Sequence, residues 1–136
     1  MDTSEAARLR NLSEKIQQIG LIPDELLLEG YDAIAIHSNS IILYTNSQAA
    51  KLFGYQEEEM NGLNAWTLFA PASIPTLMSN LAKRSETPYV VMARHRDGNN
   101  FPIEIRGINF TIDGDNYRAV LLKRAQTNWL WSYGVM

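Results

Sequence analysis

The sequence predicts an α+β domain, in which a five-stranded antiparallel sheet carries helices on one face and follows an N-terminal amphipathic helix. Two short segments of alternating apolar residues, 33–38 and 41–45, are separated by a turn. Three more strand-like segments follow residue 88, and helical patterns occupy the chain between the two groups. Strands joined by tight turns pair antiparallel, so the intervening helices are expected to lie together over the sheet.

Composition limits the kinds of function. The 136 residues carry a net charge of -3 and include no cysteine, which excludes disulfides, thiolate metal sites and cysteine nucleophiles. The weakly acidic balance offers no electrostatic footprint for nucleic acid, and no apolar run approaches the ~18 residues of a membrane span. The first residues lack the apolar stretch of a signal peptide. We therefore expect one domain, a cytoplasmic location, and neither nucleic acid nor a membrane as a partner.

Residues 1–28 are predicted to form a helical segment in front of the domain. Gly20 ends a first helix and Pro23 begins a short second one. An isolated helix of this length is marginally stable, so the first one needs a partner surface. Its apolar side is a heptad-like seam two turns long, made by Leu9, Leu12, Ile16 and Ile19.

The middle of the chain predicts several short helices and one longer helix. Asn46 or Ser47 caps a helix that Gly54 ends, and short helical turns continue to about residue 69. The longer helix begins at a pair of prolines and runs to about residue 84, since proline is tolerated only in the first turn. Its apolar stripe consists of Ile74, Leu77, Met78 and Leu81.

Three strands are predicted in the last third, at 89–95, 101–112 and 117–123, joined by turns that contain Asp-Gly. In the middle strand the apolar residues stand first at odd positions, 101 to 105, and then at even positions, 108 to 112. A β-bulge is the usual way for a strand to change the face on which its side chains lie. We therefore interpret Arg106 and Gly107 as a bulge.

Two groups of short motifs lie at the two ends of the predicted domain. The first contains DAI at 32–34, YTN at 44–46, AAKLFGY at 49–55 and EEEMNG at 57–62, and the second is RDGNNFPIE at 96–104. In this order and separation they resemble the motifs of PAS sensory domains, over roughly residues 29–124. The resemblance implies the fold described above. It places residues 125–136 in a C-terminal linker or tail.

Members of the PAS family bind haem, flavins, small metabolites or nothing. In the stretch GLNAW at 62–66, Ala65 stands where the light-sensing LOV subclass has its reactive cysteine, and Trp66 where it has a phosphate-contacting arginine. Haem-binding members most often carry a histidine on the long helix, whereas this chain has only His37 and His95, both expected to face solvent from strands. Haem and flavin are therefore not expected, and the cofactor is left unknown, with none as one option.

Catalytic arrangements are not apparent either. The carboxylates of Glu57, Glu58 and Glu59 are consecutive, so they fan around a helix instead of converging as an acid–base pair. No strand is expected to direct a carboxylate or an imidazole into the space between sheet and helices. We therefore expect no enzymatic activity.

Helices over a curved sheet leave an interior that is either a ligand cavity or a filled core. Because few charged groups are expected there, a ligand would be small and mainly apolar. The candidate walls are Ile36, Trp66, Ile74, Met78, Leu81, Val91, Ile103, Ile105, Val120 and Leu122.

The opposite face of the sheet is also expected to be apolar and therefore covered. Its predicted members are Ala33, Ala35, Tyr117, Ala119 and Leu121. The seam of the N-terminal helix is available to cover them, which predicts a homodimer through this helix and the outer sheet face. Cover of the sheet by the chain's own helix, without a dimer, is the alternative.

The resemblance implies a sensory or regulatory module of a larger signalling protein, such as a histidine kinase, with a covalently linked output domain. Binding of a small ligand or a partner would then be coupled to the terminal helices and the dimer arrangement. The alternative is a ligand-free dimerisation or docking domain. One departure from the family is the exit from the last strand, RAQT at 124–127, where an Asp-Ile-Thr-like sequence is usual.

Overall fold

The computed structural model describes residues 29–125. Its strands are β1 (Ala33–Ser38), β2 (Ile41–Thr45), β3 (Tyr89–Arg94), β4 (Asn100–Ile112) and β5 (Asp115–Arg124). Between β2 and β3 lie the helices α1 (Ser47–Phe53), α2 (Glu57–Met60) and α3 (Ile74–Ala82). Two 3₁₀ helices, Ala65–Leu68 and Pro71–Ser73, precede α3.

The strands form one antiparallel sheet in the order β2-β1-β5-β4-β3. The β1–β2 hairpin and the three-stranded meander of β3, β4 and β5 meet where β1 lies beside β5, with Ala35 opposite Val120. The predicted α+β fold, a five-stranded antiparallel sheet with helices, is confirmed. We call the face toward the helices the inner face and the opposite one the outer face.

The start of α1 is fixed to the sheet by Asn46. Its side-chain oxygen accepts hydrogen bonds from the backbone N–H of Ala49 (2.9 Å) and of Ile34 (3.0 Å), and its amide nitrogen donates to the carbonyl of Asp32 (2.8 Å). One residue therefore caps the helix and holds β1. The helix ends at Gly54, as predicted, with φ at 84°.

Gly54 lies directly against His95, so an added methyl group there meets an occupied position. A Cβ at residue 54 would lie 2.3 Å from the imidazole Cε1 of His95. The side chain of His95 is only 30% exposed, whereas it was expected from the sequence to face solvent. An alanine in the left-handed backbone conformation lowers the stability by about 1 kcal/mol, and displacement of the His95 ring lowers it by about as much again. We expect Gly54→Ala to lower the free energy of unfolding in urea by about 2 kcal/mol.

Gly62→Ala is the matched control for this substitution. Gly62 has nearly the same φ, 88°, but a Cβ there would meet nothing within 4 Å. Gly62→Ala should therefore lower the free energy of unfolding only by the cost of the left-handed backbone, about 1 kcal/mol. Equal losses at the two positions would show that the contact with His95 contributes nothing.

The main apolar core lies between the inner face and the helices. Phe53, at the end of α1, is 1% exposed, and its ring centroid lies 6.0 Å from that of Phe101 and 6.4 Å from that of Phe69. Aromatic pairs at such separations add to the stabilisation from burial. The buried members of this core are Ala33, Ile42, Ala49, Ala50, Phe53, Met60, Leu68, Leu77, Val91, Ala93, Phe101, Ile103, Ile105 and Leu122.

A second apolar cluster lies on the outer face and is called the outer cluster below. The rings of Phe110 and Tyr117 are stacked in it, with centroids 5.6 Å apart. Its buried residues are Tyr31, Ile36, Phe110, Tyr117, Ala119 and Leu121, and the half-buried residues around them are Leu43, Tyr44, Ile108 and Ile112. The prediction of an apolar outer face holds for Tyr117, Ala119 and Leu121.

The face assignment predicted for β1 is wrong. Ala33 belongs to the main core and Ala35 lies on the inner face opposite Val120, whereas Ile36 lies in the outer cluster. His37 therefore also lies on the inner face. The larger side chain was taken to mark the interior, but both faces of this sheet are apolar, so side-chain size does not distinguish them.

The predicted bulge at Arg106 and Gly107 is also wrong. The pairing of β4 with β5 runs without a shift from Ile103 opposite Arg124 to Ile112 opposite Asp115. Side chains alternate between the two faces along the whole of β4. The apolar ones lie on the inner face in its first half and on the outer face in its second half. The register shift in the sheet lies elsewhere, between β1 and β2 near Ile36.

Several sequence-based predictions fall outside residues 29–125. They are the N-terminal helical segment, with Leu9, Leu12, Ile16 and Ile19, and almost all of the C-terminal tail. Among the residues that are described, no helix combines the length and the apolar character needed to cross a membrane.

Candidate functional site

A cavity of about 60 Å³ lies between the inner face and the helices. At roughly 10–15 Å³ per water, this is room for about four to six water-sized groups. Most of its walls are apolar, but one end is polar. The lining residues are Ala35, His37, Ser40, Ile42, Phe53, Ala65, Trp66, Leu68, Phe69, Leu77, Leu81, Tyr89, Ile105, Arg118, Val120 and Leu122.

The structure divides the predicted wall residues into three groups. Trp66, Leu81, Ile105, Val120 and Leu122 line the cavity. Three others pack in the surrounding core without lining it, namely Ile74, Val91 and Ile103. The remaining two are corrections, because Ile36 is in the outer cluster and Met78 is 57% exposed on the solvent side of α3.

Arg118 is the charged residue at the polar end of the cavity. This residue of β5 is 6% exposed. Its Nη1 donates to the side-chain oxygen of Asn109 (2.8 Å) and its Nη2 to the carbonyl of Ser85 (2.6 Å). Burial lowers the pKa of Arg118, while the nearby Tyr89 and Glu86 oppose that shift. An interior cation is thus held by neutral oxygens, contrary to the expectation that charged groups are scarce on this face.

Gly107 makes room for the guanidinium. A Cβ at this position would lie 2.0 Å from Nη2 and 2.2 Å from Cζ of Arg118. The guanidinium therefore lies directly over the backbone of β4, where any other residue would displace it. Glycine in a strand often marks such a close approach.

His37 stands beside Arg118 as its partner across β1 and β5. Burial, with a further contribution from the Arg118 cation, lowers the pKa of His37 to about 4. The imidazole is therefore neutral near pH 7. Its Nδ1 atom is buried and has no hydrogen-bond partner among the described residues. The sequence-based expectation of a solvent-facing His37 is wrong.

Tyr89 completes the polar end from the first position of β3. Its side chain is half-buried, and burial raises the pKa of its hydroxyl, while Arg118 acts in the opposite direction. Glu86 is exposed and does not reach into the cavity. Instead its Oε2 accepts a hydrogen bond from the backbone N–H of Asn109 (2.8 Å).

Sequence reasoning missed Arg118, His37 and Tyr89, although one signal was present. Arg118 has the same parity as Val120 and Leu122, two residues that were assigned to the inner face. In an unbulged strand this parity alone places the arginine inside. The position of His37 then follows from its pairing with β5.

The lining offers little to a large cofactor. Its volume of about 60 Å³ is several-fold smaller than the roughly 300–1,000 Å³ of sites for drug-sized ligands. Ala65 and Trp66, the residues at the positions of the LOV cysteine and arginine, both line it. Within residues 29–125, no group of three or more His, Asp or Glu side chains is placed to hold a metal ion. These walls suit a molecule of a few atoms.

Comparison with known proteins identifies the family. The family model described as PAS domain matches residues 32–123, so the chain belongs to the PAS family and the resemblance seen in the sequence is confirmed. No curated protein matches the chain.

Solved structures with the same fold include a PAS domain from a two-component sensor histidine kinase, with 13% identity and a TM-score of 0.63 over 83% of this chain and 99% of that one. A second is the light state of the blue-light photoreceptor Aureochrome1 LOV, with 15% identity and a TM-score of 0.66 over 85% and 100%. A third is a PAS domain from Desulfitobacterium hafniense, with 20% identity and a TM-score of 0.60 over 70% and 93%. At these identities the likeness concerns the fold.

Proposed function

We propose that this PAS domain is a cytoplasmic sensory module of a larger signalling protein, and that a small molecule in the cavity is its signal. The observation that carries the proposal is a cavity with an unpartnered imidazole nitrogen and a buried cation at one end. Buried polar groups are normally satisfied, so an imidazole without a partner at Nδ1 among the described residues, next to a buried cation, favours an occupant that completes the hydrogen bonding of this end.

Signalling requires that the occupant bind two states of the domain with different affinities. The cavity is lined in part by β1 and β5, the adjacent strands that join the β1–β2 hairpin to the other three strands. In the proposal, a bound molecule changes how β1 packs against β5. This change is passed to the chain segments that precede β1 and follow β5. A homodimer through the N-terminal helix and the outer cluster would carry that change to a linked output domain. The module itself performs no catalysis.

A cavity-filling variant tests the proposal. Ala35 is buried on the inner face and lines the cavity, so Ala35→Leu directs three additional carbons into it. Because the carbons enter a void, the free energy of unfolding should change by about 1 kcal/mol or less, whereas overpacking a filled core costs about 1–3 kcal/mol. Denaturing extraction of the full chain followed by mass spectrometry should find a small molecule in the wild type and not in Ala35→Leu.

Ala82→Leu serves as the control, because Ala82 is exposed at the end of α3 and the same three carbons enter solvent. It should keep the extracted molecule. A wild-type protein that yields no molecule, and whose melting temperature no small compound raises, would rule out the ligand-sensing function.

A ligand-free dimerisation or docking domain is the second candidate. The edge of the outer cluster favours it, because the half-buried side chains of Leu43, Tyr44, Ile108 and Ile112 leave apolar surface on this sheet face. Sedimentation of the full chain distinguishes the candidates when combined with the extraction. An empty protein that sediments as a stable dimer would support docking.

A further inference from the structure

We propose that the molecule held in the cavity is a small monocarboxylate, whose carboxylate binds the guanidinium of Arg118 and whose short apolar chain lies among Leu77, Leu81 and Val120. The inference rests on the proposed sensory function and specifies the class of its ligand. It is carried by the charge balance, the hydrogen-bonding groups and the volume of the cavity.

The charge balance of the interior calls for an anion. Arg118 is almost fully buried, and among residues 29–125 no carboxylate forms an ion pair with it. Glu86 raises the pKa of Arg118 through its charge, but it is exposed and its carboxylate accepts a hydrogen bond from Asn109 and not from the guanidinium. Buried charges in proteins are normally paired, and an unpaired one is costly. A ligand carboxylate would supply the missing charge.

The hydrogen-bonding groups at this end suit a carboxylate. Asn109, Ser85 and the hydroxyl of Tyr89 accept hydrogen bonds from the guanidinium, which carries five N–H groups in a planar fork that matches two carboxylate oxygens. The neutral imidazole of His37 and the hydroxyl of Tyr89 line the same end, and each is able to donate a hydrogen bond. Within residues 29–125, no aspartate or glutamate lines the cavity to repel an anion.

The volume limits the rest of the molecule. A cavity of 60 Å³ takes about four to six water-sized groups. Acids with chains of three or four carbons are of this size, and long-chain fatty acids are not. Apart from Ser40, the lining side chains beyond His37, Tyr89 and Arg118 are aliphatic or aromatic, which suits a mainly hydrocarbon chain.

The test compares butyrate with butyramide, which has nearly the same shape but no charge. Binding of each to the full chain is measured by calorimetry and by backbone amide shifts, at pH 7 and constant ionic strength. Only butyrate supplies a charge opposite to that of the buried guanidinium, so it should bind about tenfold or more tightly than butyramide. Octanoate should bind more weakly than butyrate because its chain exceeds the cavity.

Arg118→Gln should abolish the preference for butyrate, and Arg94→Gln, the same change at an exposed arginine of β3, should keep it. If Arg118→Gln does not fold, Gly107→Ala, which displaces the guanidinium but keeps its charge, should weaken butyrate binding instead. Equal affinities for the two compounds, or a preference that survives Arg118→Gln, would overturn the carboxylate assignment.

Failure of both compounds to bind would also overturn it, but would leave the sensory proposal intact if the extraction still yields another molecule from the wild type and none from Ala35→Leu. The two proposals can therefore fail separately.

Discussion

Phe53→Ala is expected to lower the free energy of unfolding by about 3–5 kcal/mol, the usual cost of removing a buried phenylalanine ring. Phe53 is 1% exposed, lies at the last position of α1 and contacts the rings of Phe69 and Phe101. It also lines the cavity, so the truncation both detaches α1 from the sheet and enlarges the interior space. Urea unfolding followed by circular dichroism measures the loss.

Phe110→Ala separates the two effects. Phe110 is nearly as buried, but it lies in the outer cluster stacked on Tyr117. It should also destabilise the domain, while leaving the cavity unchanged. Apolar voids bind benzene or xenon, so only the Phe53→Ala protein should gain stability in benzene-saturated buffer. A loss below about 1 kcal/mol at Phe53 would mean that the ring is not packed as described.

Acidification is expected to destabilise the domain through His37. Its pKa is about 4 in the folded state, against 6.5 for the free side chain. Between these values the unfolded chain binds more protons than the folded one, so stability falls as the pH decreases from 6.5 toward 4. From pH 7 to pH 4.5 the free energy of unfolding should fall by roughly 2–3 kcal/mol through this one group.

His37→Gln removes the titrating imidazole and should remove this part of the pH dependence. The free energy of unfolding is measured in urea at pH 7 and pH 4.5 for both proteins. All other titrating groups are common to the two, so the difference between their pH dependences reports on His37. If the dependences coincide, the imidazole is not buried beside Arg118.

The fold could be predicted because its signals are local. The caps at Asn46 and Gly54 and the turns that contain Asp-Gly depend on residues a few positions apart. Each hairpin then follows from its own turn. The resemblance to PAS domains supplied the order in which the hairpins join, which no local pattern determines.

The site could be predicted only in part, because it depends on which face each strand presents. In β1 the alternation is clear, but alanines lie on one face and isoleucines on the other, and both faces are buried. An assignment based on hydrophobicity therefore puts Ile36 on the inner face and His37 on the outer face, the reverse of the structure. The role of Gly107 depends on Arg118, eleven positions away and on the next strand, so it was misread as a bulge.

The unbroken alternation of β4 has a consequence for spectroscopy. Gly107 and Ile108 are adjacent but belong to opposite faces, and they lie opposite Val120 and Ala119 of β5. The peptide plane between them thus separates the polar end of the cavity from the outer cluster. The chemical shift of its amide nitrogen in the isotopically enriched protein should therefore respond to changes on either face of the sheet, without a bulky probe attached.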